Sequence, residues 1–297
     1  MPDNNVTEQN NEYLLEKNLA GSDPELHKRF RDTVFAVQKI LSRYRLLFPE
    51  YTDHSELHSL TVIDSCNQLI GRKQMARLNS DEIYILLLSS YLHDSGMGIG
   101  EKDYEEFKDW LDADSYFRVH PDAGITDFVR DYHNEFSGMF IEKYAGLFEF
   151  PGDEYTFAVK QVVRGHRKTD LFDEKEYPSA FRLPNGNIVC LPYLAALIRL
   201  ADEIDVAASR NPLVLFDLGM IHNAKSLMEH KKLAAVEAME MTEEAFILTA
   251  RTEEEEIRQS LLEMVKKMQS TLDLCRDVIH KRTDFILTQK RVVLDLR

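Results

Sequence analysis

A histidine and an aspartate stand side by side at His93-Asp94, between the apolar run Ile83–Leu92 and the glycine-containing turn Ser95–Gly98. Imidazole nitrogens and carboxylate oxygens are common ligands of divalent metal ions. Such a pair is costly in a plain apolar core, because each buried polar group needs a partner there. We therefore interpret the pair as two ligands of one metal ion, placed where a buried helix reaches a cleft.

Other histidines and aspartates complete a candidate ligand set, with His58 before the pair and His133, His166 and Asp202 after it. Successive members are separated by intervals of 35, 39, 33 and 36 residues. Each interval suits one helix and a connection, so each ligand can come from a different helix and converge on the centre of a bundle. Nitrogen and oxygen ligands without thiolate favour Mn, Fe, Co, Ni, Zn or, less well, Mg.

The place of Asp94 in the middle of this set lets its carboxylate bridge two ions. Paired ions about 3.5–4 Å apart hold both the attacking and the leaving oxygen of a phosphoryl displacement. They also lower the pKa of a shared water toward about 7, which gives a hydroxide nucleophile at neutral pH. The chemistry that this pattern favours is hydrolysis of a phosphate bond.

Helix-start signals stand before most of these ligands. Ser80-Asp81-Glu82 caps the helix that ends at His93-Asp94, because acidic and hydroxyl side chains satisfy the free amides of a helix N-terminus. Proline in the first turn gives another start at Ser22-Asp23-Pro24. Further predicted helices begin near residues 52–53, 121–122, 153–154 and 192.

The pattern changes after Asn211-Pro212. Segments 233–241 and 245–250 are typical of a β-hairpin, Glu253–Lys281 has the apolar spacing of a long amphipathic helix, and Val292–Leu296 is typical of a strand. The fold class predicted is mainly α, with a small C-terminal α+β appendage. The predicted organisation is a polar tail at residues 1–21, a helical metal-binding domain at 22–212 and the appendage at 213–297.

Composition narrows the class of protein. The chain has 297 residues, of which 44% are hydrophobic, so it can bury a core. Its formal net charge of -15 repels polyanions, which argues against duplex nucleic acid as a partner. Three distant cysteines, a polar N-terminus and the lack of a run of about 20 apolar residues predict a cytoplasmic protein with reduced thiols and no membrane span. Oligomerisation stays open.

Five short segments resemble motifs of the HD superfamily of metal-dependent phosphohydrolases, over roughly residues 30–210. They are LHSLTVID around His58, YLHDSGMG with the His93-Asp94 pair, HNEFS at His133, VVRGHRK at His166 and LIRLADEID at Asp202. The histidines at 133 and 166 are similar to those of the two-metal branch, which includes cyclic-dinucleotide phosphodiesterases. Within the superfamily the segments look most like the HD-CE-like group. The resemblance implies an HD-domain helical bundle that holds one or two divalent ions.

The resemblance also implies roles for single residues. One ion is assigned to His58, His93, Asp94 and Asp202, and a second ion to Asp94, His133 and His166. Asp94 thereby becomes the bridging, catalytic carboxylate, and a bridging hydroxide attacks phosphorus. His54, one helical turn before His58, is the candidate proton donor to the leaving oxygen. Asp205, about one turn beyond Asp202, is expected to orient a histidine from behind.

One position departs from the superfamily pattern. Phosphodiesterases of the two-metal branch often carry a lysine soon after the HD pair, where this chain has Met97. The departure removes a phosphate-binding cation and weakens the assignment of a cyclic dinucleotide as the substrate. Basic residues elsewhere can supply the charge, namely Arg164, Arg167, Lys168 or Arg210, and of these Arg164 and Lys168 are the predicted substrate contacts.

Three functions are compatible with the pattern. The first is a phosphohydrolase that cleaves a phosphoester or nucleotide phosphate bond in a small phosphorylated substrate. The second is a di-iron oxygenase that uses the same ligands on the same fold. The third is a non-catalytic nucleotide-sensing or partner-binding module, which the tail and the C-terminal appendage favour, although such a module need not keep every ligand.

Overall fold

The structure is a computed structural model that describes residues 14–41, 56–206, 221 and 223–297. The predicted proton donor His54 and the basic residue Arg210 lie outside these described residues.

Eleven α-helices within the described residues make the fold mainly α, as the sequence predicts. They are α1 (Leu14–Ser22), α2 (Pro24–Leu41), α3 (Glu56–Met75), α4 (Ser80–Leu92), α5 (Glu101–Phe107), α6 (Ala113–Val119), α7 (Ile125–Lys143), α8 (Asp153–Arg164), α9 (Leu191–Glu203), α10 (Ala224–Ala234) and α11 (Glu255–Arg282). Short 3-10 turns lie at Ser95–Gly98, Lys108–Leu111 and Ala145–Leu147. The strands are β1 (Phe181–Arg182), β2 (Ile188–Val189), β3 (Val236–Met241), β4 (Ala245–Ala250) and β5 (Arg291–Leu296).

Helix α4 forms the centre of the bundle. Its side chains from Asp81 to Leu92 are all buried, which explains why the sequence there is apolar on every face. Helices α1, α2, α3, α8 and α9 pack around it. The helix begins with a capping box, in which Asn79 accepts from the amide of Glu82 and the Glu82 carboxylate accepts from the amide of Asn79. This cap fixes where the helix starts and therefore where its last residues lie.

Helix α1 differs from the predicted polar tail. Leu15 and Leu19 stand one helical turn apart and are fully buried, and α1 packs on α2 and α4. The buried Asn67 side chain on α3 accepts from the backbone amide of Leu15. Residues 14–21 of the predicted tail are therefore a docked helix, because the leucines at this spacing give an otherwise polar segment one apolar face.

The C-terminal α+β region agrees with the prediction. Strands β3 and β4 form an antiparallel hairpin, and β5 joins β4 in parallel, which makes a three-stranded sheet in the order β3-β4-β5. Helix α11 packs on α9, and its residues Leu272, Cys275 and Ile279 belong to the main core. The region is thus docked on the bundle, while the division of the chain at residue 212 stays a prediction.

The connection between α8 and α9 holds a small hairpin. Strands β1 and β2, of two residues each, pair antiparallel on either side of residues 184–186. Gly186 there has a φ of 91°, a conformation that favours glycine.

Within the described residues no helix is long and apolar enough to cross a membrane. Cys66, Cys190 and Cys275 are buried and free.

Candidate metal centre

Five of the six candidate ligands lie at or just beyond helix ends, and the sixth, His133, lies at a kink within a helix. His58 lies in the first turn of α3, and His93-Asp94 directly follows α4. His133 lies on α7 immediately after Tyr132, where the backbone leaves helical geometry at φ −120° and ψ 15°. The remaining two, His166 and Asp202, lie just beyond α8 and in the last turn of α9. We call these six side chains the histidine–aspartate cluster.

All four imidazole rings turn their Nε2 atoms toward Asp94. The Nε2 atoms of His58 and His93 are 3.0 Å apart, and those of His133 and His166 are 2.9 Å apart. Oδ2 of Asp94 is 3.4 Å from the Nε2 of His58 and 3.3 Å from that of His93. Oδ1 of the same carboxylate is 3.3 Å from the Nε2 of His133 and 4.0 Å from that of His166. Each carboxylate oxygen therefore faces its own pair of imidazole nitrogens.

Asp202 joins the first of these two pairs. Its Oδ1 is 3.3 Å from the Nε2 of His58 and 3.8 Å from the Nε2 of His93. Burial raises the pKa of this carboxyl, but the hydrogen bond with His58 and the neighbouring imidazoles lower it more, so the pKa is well below its ordinary range. The side chain of Asp202 is 26% exposed, whereas those of Asp94 and the four histidines are buried. Asp202 is therefore the member of the cluster most open to solvent.

Hydrogen bonds at the Nδ1 atoms fix the tautomers of three of the histidines. The Nδ1 atom of each ring lies within 2.6 to 2.9 Å of the carbonyl oxygen three residues earlier, at Ser90 for His93, Arg130 for His133 and Val163 for His166. A carbonyl only accepts, so each Nδ1 carries the proton and each Nε2 of the neutral ring offers a lone pair.

His58 is held by a carboxylate instead. Its Nδ1 lies 2.6 Å from Oδ2 of Asp205, a buried side chain 147 residues away in sequence. The structure thus places Asp205 behind an imidazole of the cluster, on the side away from Asp94. A carboxylate in this position raises the basicity of a ligating imidazole and fixes its orientation.

The donor set fits divalent cations. Two Nε2 lone pairs at about 3 Å repel each other unless a cation lies between them. Burial, together with His133 and His93, holds the pKa of His166 well below its ordinary value, which keeps the ring in the neutral form that binds metal. Within the described residues, two groups of three have ligand atoms close enough to hold an ion, and Asp94 belongs to both: His58, His93 and Asp94, and Asp94, His133 and His166.

A glycine brings the HD pair against α7. The amide of Gly96 donates to the hydroxyl of Ser137 at 2.8 Å, and this hydroxyl donates to the carbonyl of His93 at 2.6 Å. A Cβ at position 96 would overlap the carbonyl oxygen of His133 and lie 2.6 Å from the amide nitrogen of Ser137. Gly96 is therefore required by the close approach of two backbones.

Met97, the departure from the superfamily pattern, is 1% exposed and packs in the core.

The predicted substrate contacts Arg164 and Lys168 both have acidic partners. Nε of Arg164 donates to Glu135 at 2.8 Å, and its Nη1 is 3.2 Å from a carboxylate oxygen of Glu176. Nζ of Lys168 donates to the carbonyl of Asp131 at 2.9 Å and lies 3.8 Å from its carboxylate. Their role as substrate contacts stays a prediction, and His54 lies outside the described residues.

The sequence analysis missed a buried arginine that supports the cluster. Arg199 on α9 is 6% exposed, and its guanidinium donates to the carbonyl oxygens of Gly165 and Thr169 at 2.7 and 2.8 Å. These two carbonyls flank His166. The signal was present in the sequence, because a charged residue interrupts the apolar segment of α9, and such a residue is rarely buried without partners.

A helical bundle with a carboxylate between two imidazole pairs is the arrangement of an HD-type domain, and the cluster could hold a metal ion. The HD-CE family model matches residues 48–284 of the chain. The match covers most of the sequence, so the chain belongs to the HD-CE family. No curated protein matches it closely enough to be compared residue by residue.

Proposed function

We propose that this chain is a metal-dependent phosphohydrolase that cleaves a phosphoester or nucleotide phosphate bond. The observation that carries the proposal is the carboxylate of Asp94, whose two oxygens face two separate imidazole pairs. A bridging carboxylate of this kind is suited to two ions held close together. HD-CE membership and the histidine–aspartate cluster support the same function.

The residues of the cluster divide into two halves around Asp94. One divalent ion would be held by Oδ2 of Asp94 together with His58, His93 and Asp202. The other would be held by Oδ1 of Asp94 together with His133 and His166. When bound, the ions supply a water of lowered pKa and neutralise the charge that develops on the phosphoryl oxygens. Mn, Fe, Co, Ni, Zn and Mg all accept such ligands, and nitrogen-rich sets favour the transition metals.

The protein itself supplies orientation, proton control and exclusion of water. Backbone carbonyls hold the Nδ1 proton of His93, His133 and His166, so their Nε2 atoms need no proton loss to act as ligands. Asp205 accepts from the Nδ1 of His58, and its negative charge offsets part of the cationic charge nearby. Burial around Asp94 strengthens each electrostatic interaction at the centre. His54 remains our proposed proton donor to the leaving oxygen.

The test compares Asp94→Asn with the wild-type chain. Both proteins, and the exposed control Asp109→Asn, are loaded with Mn²⁺ or Zn²⁺, analysed for bound metal and assayed against phosphomonoesters, phosphodiesters and nucleotides. We expect the wild type and the control to bind metal and hydrolyse at least one of these classes. Asp94→Asn should lose bound metal and at least about a hundredfold of the activity, since the carboxylate serves both halves. Equal metal content and activity in Asp94→Asn would refute the proposal.

Two further measurements on the wild type separate the alternatives, oxygen uptake by the Fe²⁺-loaded protein and nucleotide binding. Iron-dependent oxygen uptake with no phosphate release would indicate an oxygenase that uses the same ligands. Nucleotide binding with no turnover under any of the metals would indicate a sensing module.

A further inference from the structure

Three basic side chains lie near the half of the metal centre that contains His133 and His166, and they differ in whether a carboxylate pairs with them. Arg164 is ion-paired with Glu135 and Glu176, and Lys168 lies by Asp131. Arg167 stands between them in sequence, is partly exposed, and pairs with no carboxylate within the part of the chain that the structure describes. An arginine with no acidic partner keeps its charge and its fork of donors available for an anion.

The guanidinium of Arg167 is held beside the metal centre. Its Nη1 donates to the carbonyl oxygen of Arg130 at 3.2 Å and lies 3.3 Å from Nδ1 of His133. The same carbonyl accepts from the His133 ring at 2.7 Å. His133 and the Arg167 guanidinium are thus held by the same carbonyl oxygen. The ring of His133 lies between this guanidinium and Asp94.

The loop that carries Arg167 is held at several points. The side-chain amide of Asn134 donates to the carbonyls of Arg164 and Arg167, at 3.2 and 3.0 Å. Arg199 donates to the carbonyls of Gly165 and Thr169 on either side of it. Fixing a cation before its ligand arrives reduces the entropy cost of binding.

A cleft of about 760 Å³ opens beside this loop. Its lining includes Tyr116, Asp127, Arg130, Asp131, Arg167 and Asn223. A volume of this size suits a small organic ligand, since such pockets usually span about 300–1,000 Å³. The cleft also contains Asp122, so three carboxylates face two arginines there. A polyanion is repelled by that balance, whereas a ligand with one anionic group and several hydroxyl donors matches it.

We propose that this cleft binds the organic part of a phosphate-ester substrate and that Arg167 holds its anionic group. The substrate class is a phosphate ester of a hydroxyl-rich group, such as a sugar phosphate or a nucleoside monophosphate. The hydroxyls donate to carboxylates of the cleft, such as Asp127, whose Oδ2 also accepts from the amide of Gly124 at 3.0 Å, and the anion lies against Arg167 near the metal centre. The inference rests on the proposed function, because it assigns a substrate to that site.

The test measures binding of two monoesters with the same phosphate group to the full-length, Zn²⁺-loaded protein. Ribose 5-phosphate carries hydroxyls and methyl phosphate does not. Affinities are measured in the cold, before hydrolysis is detectable, for the wild type, Arg167→Gln, Arg167→Lys, Lys168→Gln and Asp127→Asn. Arg118→Gln, an exposed arginine on α6, is the matched control. Metal content and the far-ultraviolet circular dichroism of every variant are measured beside the affinities, so that unfolding is detected directly.

We expect ribose 5-phosphate to bind the wild type at least about tenfold more tightly than methyl phosphate, as two or more added hydrogen bonds would give. Arg167→Gln should weaken binding of both esters about tenfold or more, with metal content unchanged, and Arg167→Lys should restore part of it. Lys168→Gln should weaken it far less. Asp127→Asn should weaken ribose 5-phosphate binding and leave methyl phosphate binding within about twofold.

Equal affinity in the wild type and Arg167→Gln would overturn the proposal, and so would equal affinity for the two esters. Because the titration measures binding and not turnover, the two proposals fail in different ways. A protein that binds ribose 5-phosphate through Arg167 but hydrolyses no ester would refute the proposed phosphohydrolase and support the cleft.

Discussion

The buried guanidinium of Arg199 offers the most specific test of how the fold supports the metal centre. Arg199 makes three hydrogen bonds to the loop that carries His166, at 2.7 Å to the carbonyl of Gly165, 2.8 Å to the carbonyl of Thr169 and 3.1 Å to the Thr169 hydroxyl. No carboxylate is paired with it in the described part of the chain. Burial lowers the pKa of Arg199, and the backbone oxygens that accept from its guanidinium stabilise the charged form. The perturbation is Arg199→Met, which keeps an unbranched chain and removes every donor.

The expected loss of stability is moderate. Each buried carbonyl left without a donor costs about 1–3 kcal/mol, and two carbonyls lose theirs. Removing the guanidinium also removes the cost of burying a charge, which offsets part of this loss. We therefore expect Arg199→Met to lower the free energy of unfolding by about 2–4 kcal/mol. A domain with a stability of about 5–15 kcal/mol remains folded after such a loss.

Two measurements check this prediction. Urea denaturation gives the loss of stability, with the exposed Arg258→Met on α11 as a control that should change it by less than about 0.5 kcal/mol. Metal titration should show that the half of the centre with His166 loses affinity about tenfold or more, while the half with His58 changes much less. Stability and metal affinity equal to those of the control would refute the reasoning. An equal loss of affinity in both halves would show that Arg199 acts on the whole fold and not on the loop.

Three further predictions follow from single contacts. Gly96→Ala should lower the free energy of unfolding by about 1–3 kcal/mol in thermal or urea denaturation, because its Cβ would overlap backbone atoms of α7. Gly146→Ala is the control, since no atom of the described residues would lie within 4 Å of its Cβ. Asp205→Asn should weaken metal binding about 10- to 100-fold in a competition assay, because the neutral amide can still accept from Nδ1 of His58 but lacks the negative charge that raises the basicity of the ring. Burial raises the pKa of Asp103, but Lys143 lowers it more, so the folded pKa lies below the ordinary 3.8. This carboxylate therefore stabilises the fold fully above about pH 4, and the contribution disappears as the pH falls through the lowered folded pKa. Asp103→Asn should flatten the dependence of stability on pH in that acidic range.

Each of these predictions has an outcome that contradicts it. Equal stability of the two alanine variants would mean that α7 moves aside without cost. Unchanged metal affinity in Asp205→Asn would mean that the negative charge of Asp205 does not strengthen metal binding by His58. If the variant at position 103 lost stability with acid as steeply as the wild type, other carboxylates would account for the acid response.

Local sequence already decides a large part of the candidate metal centre. The Nδ1 protons of His93, His133 and His166 go to carbonyl oxygens three residues earlier, a contact within one turn of backbone. The start of α4 is likewise local, because Asn79 and Glu82 cap it from three residues apart. For the same reason, helix signals and ligand spacing were enough to predict a mainly α bundle with a C-terminal hairpin and final strand.

The tertiary structure decides what local sequence cannot. His58 is oriented by Asp205 from 147 residues away, and Arg199 holds a loop more than 30 residues before it. Neighbours on other helices also decide which basic side chains have an acidic partner. Glu135 of α7, for example, pairs with Arg164 of α8. Hydrogen bonds and ion pairs between distant segments depend on how helices pack, and helix packing is a property of the whole core. The residue types therefore determined which ligands exist, and only the packing decided which atoms face each other around Asp94.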